Sequence, residues 1–215
     1  MDELDILKKD WQKKGDELPK LSYNDIYKMI WKKSSSIVKW IFIISILEFV
    51  LPNLLFIFPS TREHIAKMYY GNTYGVFFIA LSIIQYTVIF YFIYQFYKRY
   101  KEISVLDDSK TLMKNIIRTR KTVKHYVIFS LATLMFTMLA QAVCVYFDPV
   151  MLTTIYPEEL PTNVSAEKFK TIMTITFVVV AVVTTVVFAL IYFLLYGLLL
   201  KKLNRNYYEL KKMEI

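Results

Sequence analysis

A chain of 215 residues that is 56% hydrophobic, with a mean hydropathy of +0.38, is too apolar for an ordinary soluble domain, where the apolar share is about 45–50%. Its charged fraction is still 21%, so the charges must be segregated between apolar stretches, the pattern of a membrane protein with substantial polar segments. The single cysteine, Cys144, excludes an intramolecular disulfide and a cysteine-based zinc site. A net charge of +9 alone would suit a nucleic-acid binder, but its distribution follows membrane orientation instead, and nucleic acid is not an expected partner.

Residues 1–36 are predicted to form amphipathic helices on the cytosolic side. They lack the short apolar core and small-residue cleavage site of a signal peptide, so the first apolar run serves as the signal and stays. Leu4, Leu7 and Trp11 share one face of a short helix over residues 2–14, with Gly15 as its stop. A second helix begins at Ser22, where Ser22 and Asp25 form a capping-box pattern, and continues through Ile26, Ile30 and Trp31. Its Lys28, Lys32 and Lys33 are placed to meet anionic headgroups, as are Lys201 and Lys202 in the tail. Ser34, Ser35 and Ser36 are expected as small polar residues at the membrane interface.

Four apolar runs, 37–58, 74–97, 126–147 and 171–200, are long enough to cross about 30 Å of hydrocarbon at about 1.5 Å per residue. The fold class is therefore all-α: a polytopic membrane protein whose four transmembrane helices carry cytosolic helical extensions. Residues 37–200 form the membrane domain, interrupted by a helical hairpin at 98–125, and 201–215 form a basic helical tail. The unbroken helical spacing from Leu112 to Cys144 predicts that the hairpin's second arm and the third span are one helix. Of the 27 Lys and Arg residues, 23 fall in the two termini and the 98–124 segment, against four in the other two loops. By the positive-inside rule both ends face the cytosol. The many Tyr at the ends of apolar runs suit the headgroup region for the same reason that Trp does there, one apolar end and one wet.

A polar layer runs through the apolar runs. Glu48 stands near the middle of the first span, Gln85 at the centre of the second, and Thr184 and Thr185 in the fourth. In the third span Ser130, Thr133, Thr137, Gln141 and Cys144 share one helical face. A carboxylate exposed at that depth costs about 2.5–3.5 kcal/mol even on the lenient scale, so Glu48 is expected to face the bundle beside Gln85. The candidate layer is thus Glu48, Gln85, Thr137, Gln141, Thr184 and Thr185. It can act as hydrogen-bonding glue or as an ion or ligand site. Ala181, Thr185 and Ala189 add a small-residue seam that permits close helix approach. No Ser/His/Asp set can be assembled, since His64 and His125 lie on opposite sides of the membrane, so no catalytic residue, metal or cofactor is expected. The Asn163-Val164-Ser165 sequon sits in an outer loop, where such a match is common by chance and would be empty in a bacterium.

Residues 7–11 (LKKDW), 32–41 (KKSSSIVKWI), 118–123 (RTRKTV) and 203–212 (LNRNYYELKK) together resemble a family of uncharacterised multipass membrane proteins from Bacteroidota bacteria, over nearly the whole chain. Some members are labelled carotenoid-cleaving monooxygenases. Soluble propeller enzymes of that kind hold iron with four histidines, and this chain has two. The resemblance implies a bacterial inner-membrane setting and no activity. The leading expectation is a non-enzymatic protein that engages a membrane protein, anionic lipid or cytosolic regulator through its basic helices. The alternatives are a small transporter or channel centred on Glu48 and Gln85, and a lipid-modifying enzyme.

Overall fold

The computed structural model describes residues 22–70, 74–104, 108–148 and 165–213. The short helix expected over 2–14 and the sequon asparagine lie outside them. Among the described residues there is no strand. The helices are α1 (Tyr23–Leu54), α2 (Pro59–Tyr70), α3 (Gly75–Ser104), α4 (Ser109–Phe147), α5 (Ala166–Tyr192) and α6 (Leu198–Met213). A 3-10 turn, Leu55–Ile57, follows α1, and a π-helical turn, Phe193–Gly197, joins α5 to α6. Four of these columns are long and apolar enough to cross a membrane.

Local chemistry sets the ends. At the start of α1 the Asp25 N–H donates to the Ser22 hydroxyl at 3.2 Å, and the Ser22 N–H donates back to Asp25 at 3.3 Å, the expected capping box. Asp108 occupies the N-cap of α4 with extended backbone. Its carboxyl is held below the usual carboxylate range, first by the Thr111 side chain. From there α4 runs 39 residues without a break, as its spacing predicts. That length is about 58 Å, roughly twice the hydrocarbon thickness.

The charged ends of α1, α3, α4 and α6 gather at one end of the bundle and pack on each other. Tyr27, Ile30 and Val38 of α1, Ile103 of α3, Leu112 and Ile116 of α4, and Leu203 and Leu210 of α6 form one buried core. Stalks projecting separately would leave these faces wet. Burying a Leu or Ile side chain from water contributes about 1.5–3 kcal/mol, so the extensions close into a four-helix bundle. Polar bonds fix its register: Trp31 Nε1 donates to the Ile103 carbonyl at 2.7 Å, satisfying a last-turn carbonyl of α3. Asn206 Nδ2 donates to Ser34 Oγ at 3.0 Å, and the Arg120 guanidinium donates to Asn204 Oδ1. Ser34 is therefore a buried packing residue between α1 and α6, not an interfacial one.

Beyond the extensions the columns part company. α1 packs along α3, α3 along α4, and α4 along α5, where Ala181 of the expected seam is fully buried. The first and fourth columns, however, meet mainly through α6 rather than α5. The apolar stretch thus keeps three packed helix–helix sides and one side with few contacts, between α1 and α5. Much of α5 is exposed apolar surface (Val179, Val183, Val186, Leu190), as a lipid-facing helix requires.

Candidate functional site

Two packed layers bracket a gap inside the apolar part of the bundle. Next to the extensions lie Ile41, Phe96, Val123, Tyr126 and Tyr196. At the far end lie Phe78, Cys144 and Val145, with Phe169, Met173 and Phe177 against them. Between the layers α1, α3, α4 and α5 enclose a cavity of about 400 Å³. Its polar lining comprises Glu48 and Asn53, Ser82, Gln85 and Tyr86, Tyr126, Ser130 and Thr133, and Tyr192.

Glu48 sits where a local helix defect already exists. Pro52, inside α1, has no N–H to return to the carbonyl four residues earlier, which is that of Glu48. The helix weakens over the following turns, with Asn53 Nδ2 donating to the Phe49 carbonyl at 2.6 Å before the 3-10 turn begins. The Glu48 side chain accepts a hydrogen bond from the Tyr126 hydroxyl at 2.7 Å, through Oε2. Its other oxygen, Oε1, and the hydroxyl of Tyr196 are both buried without a well-formed hydrogen bond, and the two groups lie close enough to interact with each other. Burial is costly for a polar atom without a good hydrogen bond, so the carboxylate and the two phenols hold one another in this corner of the cavity.

Tyr126 is the hub. Its ring lies 5.5 Å from Phe92, 5.4 Å from Phe96, 6.3 Å from Tyr192 and 5.9 Å from Tyr196, in edge-on geometries that aromatic quadrupoles favour. The π turn carries Tyr196 and follows directly on Tyr192; the two rings are 5.8 Å apart. A π turn widens a helix by one residue per turn and recurs at functional sites. On the other side of the cavity, Tyr86 donates to Asn53 Oδ1 at 3.1 Å.

Gln85 and Glu48 both line the cavity, but the carboxylate is bonded to Tyr126, not to Gln85. Glu48 therefore stands at the level of the first residue of the third apolar run, nearer the charged extensions than the middle of the bundle. Of the polar stripe on α4, Ser130 and Thr133 face the cavity. Thr137 turns its hydroxyl back to the Thr133 carbonyl at 2.8 Å, and Thr185 to that of Ala181 at 2.7 Å, the usual resting place of a hydroxyl with no better acceptor. Gln141 and Thr184 are half-buried and away from the cavity lining, and Cys144 is buried in the far layer.

Tyr126, Tyr192 and Tyr196 have no place among the site residues predicted from sequence, because Tyr at the end of an apolar run suits the headgroups. Tyr126 and Tyr196 are instead 3% and 1% exposed. Their signal was present: Tyr126 stands four residues before Ser130 and extends the polar stripe by one helical step, and Tyr192 and Tyr196 share a face. Among the described residues no three His, Cys, Asp or Glu side chains converge to hold a metal ion.

Comparison with curated proteins and with solved structures finds no match. A family described as Domain of unknown function (DUF8845) matches residues 24–215, from the start of α1 through the tail. The chain belongs to that family.

Proposed function

We propose that this chain is a small membrane transporter that binds its ligand in the cavity beside Glu48 and Gln85. The observation that carries the reading is the cavity itself: about 400 Å³, inside four membrane-spanning columns, with one carboxylate in a lining rich in aromatic and hydroxyl groups. Concave sites with a few convergent polar groups are the usual form of ligand pockets, and helix bundles place them between facing helices. Glue alone favours close contact of polar groups across helices, and a gap of this volume is a poor way to achieve it. The setting is the inner membrane of a bacterium, with both termini and the 98–125 hairpin in the cytosol, as the 23 to four division of Lys and Arg supports.

The test is to fill the cavity. Ser130→Trp places a large ring in it from α4, on a residue that takes no part in the extension core. The expected result is a folded protein that fails to restore competitive growth to a strain lacking the wild type. A filled variant with normal thermal stability and full rescue would sink the proposal.

A second reading keeps the basic helices as a docking surface. Lys28, Lys32, Lys33, Lys201 and Lys202 are all exposed on the outside of the extension bundle. Their apolar faces are spent on one another, so a partner would meet charge rather than a hydrophobic groove. Anionic lipid headgroups are the partner this surface suits.

A further inference from the structure

The walls of the cavity bear on which ligand it takes. Among the described residues Glu48 is the only charged one in its lining, with no Lys, Arg or His beside it. The titratable groups that interact with this carboxylate are the phenols of Tyr126, Tyr192 and Tyr196, from α4, α5 and the π turn. Among the described residues an ionised carboxylate there has no counter-charge, only phenol hydroxyls beside it. Much of the remaining wall is aromatic: Phe49, Tyr86, Tyr126, Phe129 and Tyr192. Aromatic faces attract cations through their quadrupoles, most strongly where water is excluded. Of the helix–helix sides around the cavity, the one between α1 and α5 has few contacts. A volume of about 400 Å³ exceeds what a bare inorganic ion needs and lies in the range of small organic ligands.

We infer that the cavity takes a monovalent organic cation with an apolar body, an ammonium or phosphonium that reaches it from the membrane between α1 and α5. The inference rests on the reading of the cavity as a ligand site. The charged centre lies against Glu48 and the aromatic rings, and the apolar substituents fill the space towards Phe129 and the loosely packed side between α1 and α5. A metal ion would demand more oxygen ligands than the one carboxylate supplies, and an anion would meet it with repulsion.

The experiment uses the full chain in nanodiscs of neutral phosphatidylcholine, which removes attraction by the lipid surface. Radiolabelled tetraphenylphosphonium is the probe, with triphenylphosphine oxide as a neutral competitor. The expected result is saturable binding of the cation, weak competition by the oxide, and affinity reduced at least tenfold in Glu48→Gln while Glu48→Asp stays within a few-fold of wild type. Equal binding of the cation by a stably folded Glu48→Gln variant would overturn the inference. Competition by the oxide as strong as by unlabelled cation would also overturn it, while leaving the cavity a ligand site. Saturable binding of neither probe would overturn the inference and the transporter reading together. If Glu48→Gln does not fold, the comparison of cation with oxide on the wild type decides alone.

Discussion

The Tyr126 hydroxyl donates to the Glu48 carboxylate at 2.7 Å across 78 positions of sequence, and this bond ties α1 to α4 on the wall of the cavity. α1 and α4 are diagonal partners in the bundle, with few other contacts between them. Closing the diagonal with a polar bond rather than bulky apolar side chains holds the two helices at a fixed distance and leaves the adjoining space open. The same pair therefore bears on both packing and the cavity.

Tyr126→Phe keeps the aromatic packing and deletes the hydroxyl. It should destabilise the protein by about 1–3 kcal/mol, the cost of a buried polar group losing its partner. Glu48→Gln retains an acceptor for that hydroxyl and should melt close to wild type. Glu48→Ala loses the bond and the volume but leaves no charge behind, and should cost on the order of 1 kcal/mol. Thermal unfolding in one detergent orders the three; a Glu48→Gln variant less stable than Tyr126→Phe would refute this account of the bond.

The two halves of the bundle should respond differently to truncation. Ile116 and Leu203 are fully buried in the extension core, which folds against water. Ile116→Ala or Leu203→Ala should cost about 2–5 kcal/mol through lost transfer energy and the cavity left behind. Val179 on α5 is 55% exposed among apolar neighbours, and Val179→Ala should change stability by less than about 0.5 kcal/mol. Equal losses at the two kinds of site, measured by denaturant titration in micelles, would contradict the division into a wet half and a lipid-facing half.

The four columns were legible in sequence because each element agreed with the next: capping at Ser22, apolar runs of spanning length, and helical spacing carried through Leu112 to Cys144. The extension core was less so. Its residues were visible as apolar faces on separate helices, but the amphipathic pattern names a face without naming its partner, which here is the other extensions. At the cavity, sequence found Glu48 and Gln85 by their isolation in apolar runs. It paired them by position along their spans, whereas the offset between columns brings Tyr126 to Glu48. The π turn at Phe193–Gly197 had no signal beyond Gly197, because a one-residue widening leaves the apolar composition of the helix unchanged.

Orientation is open to direct measurement. Reporter fusions after residues 65, 110, 160 and 215 should read outside, inside, outside, inside, as the 23 to four charge division requires. The structure gathers the charged ends of all four columns at one end of the bundle, so the fusions at 110 and 215 must agree with each other in any orientation. A disagreement between those two would contradict the fold; reversal of all four would contradict only the orientation.

Gly197 closes the π turn that carries Tyr196, and its replacement separates two roles for that turn. A Cβ at Gly197 would stand 3.3 Å from Cδ2 of Phe193, closer than ordinary contact. Phe193 is 70% exposed and directed to the outside of the bundle, so its ring can move aside. The gain from Gly→Ala in a helix is then free to appear, up to about 1 kcal/mol. If the turn is only a packing adjustment, Gly197→Ala raises the melting temperature in detergent and leaves growth rescue intact. If bending at this turn lets α5 move against α1 and open the cavity, the stiffer helix should melt higher and rescue less well. The second outcome is expected, because the first and fourth columns are held together mainly by α6, below the turn, and loosely by α5 above it. A stabilised variant with full rescue would assign the π turn to packing alone.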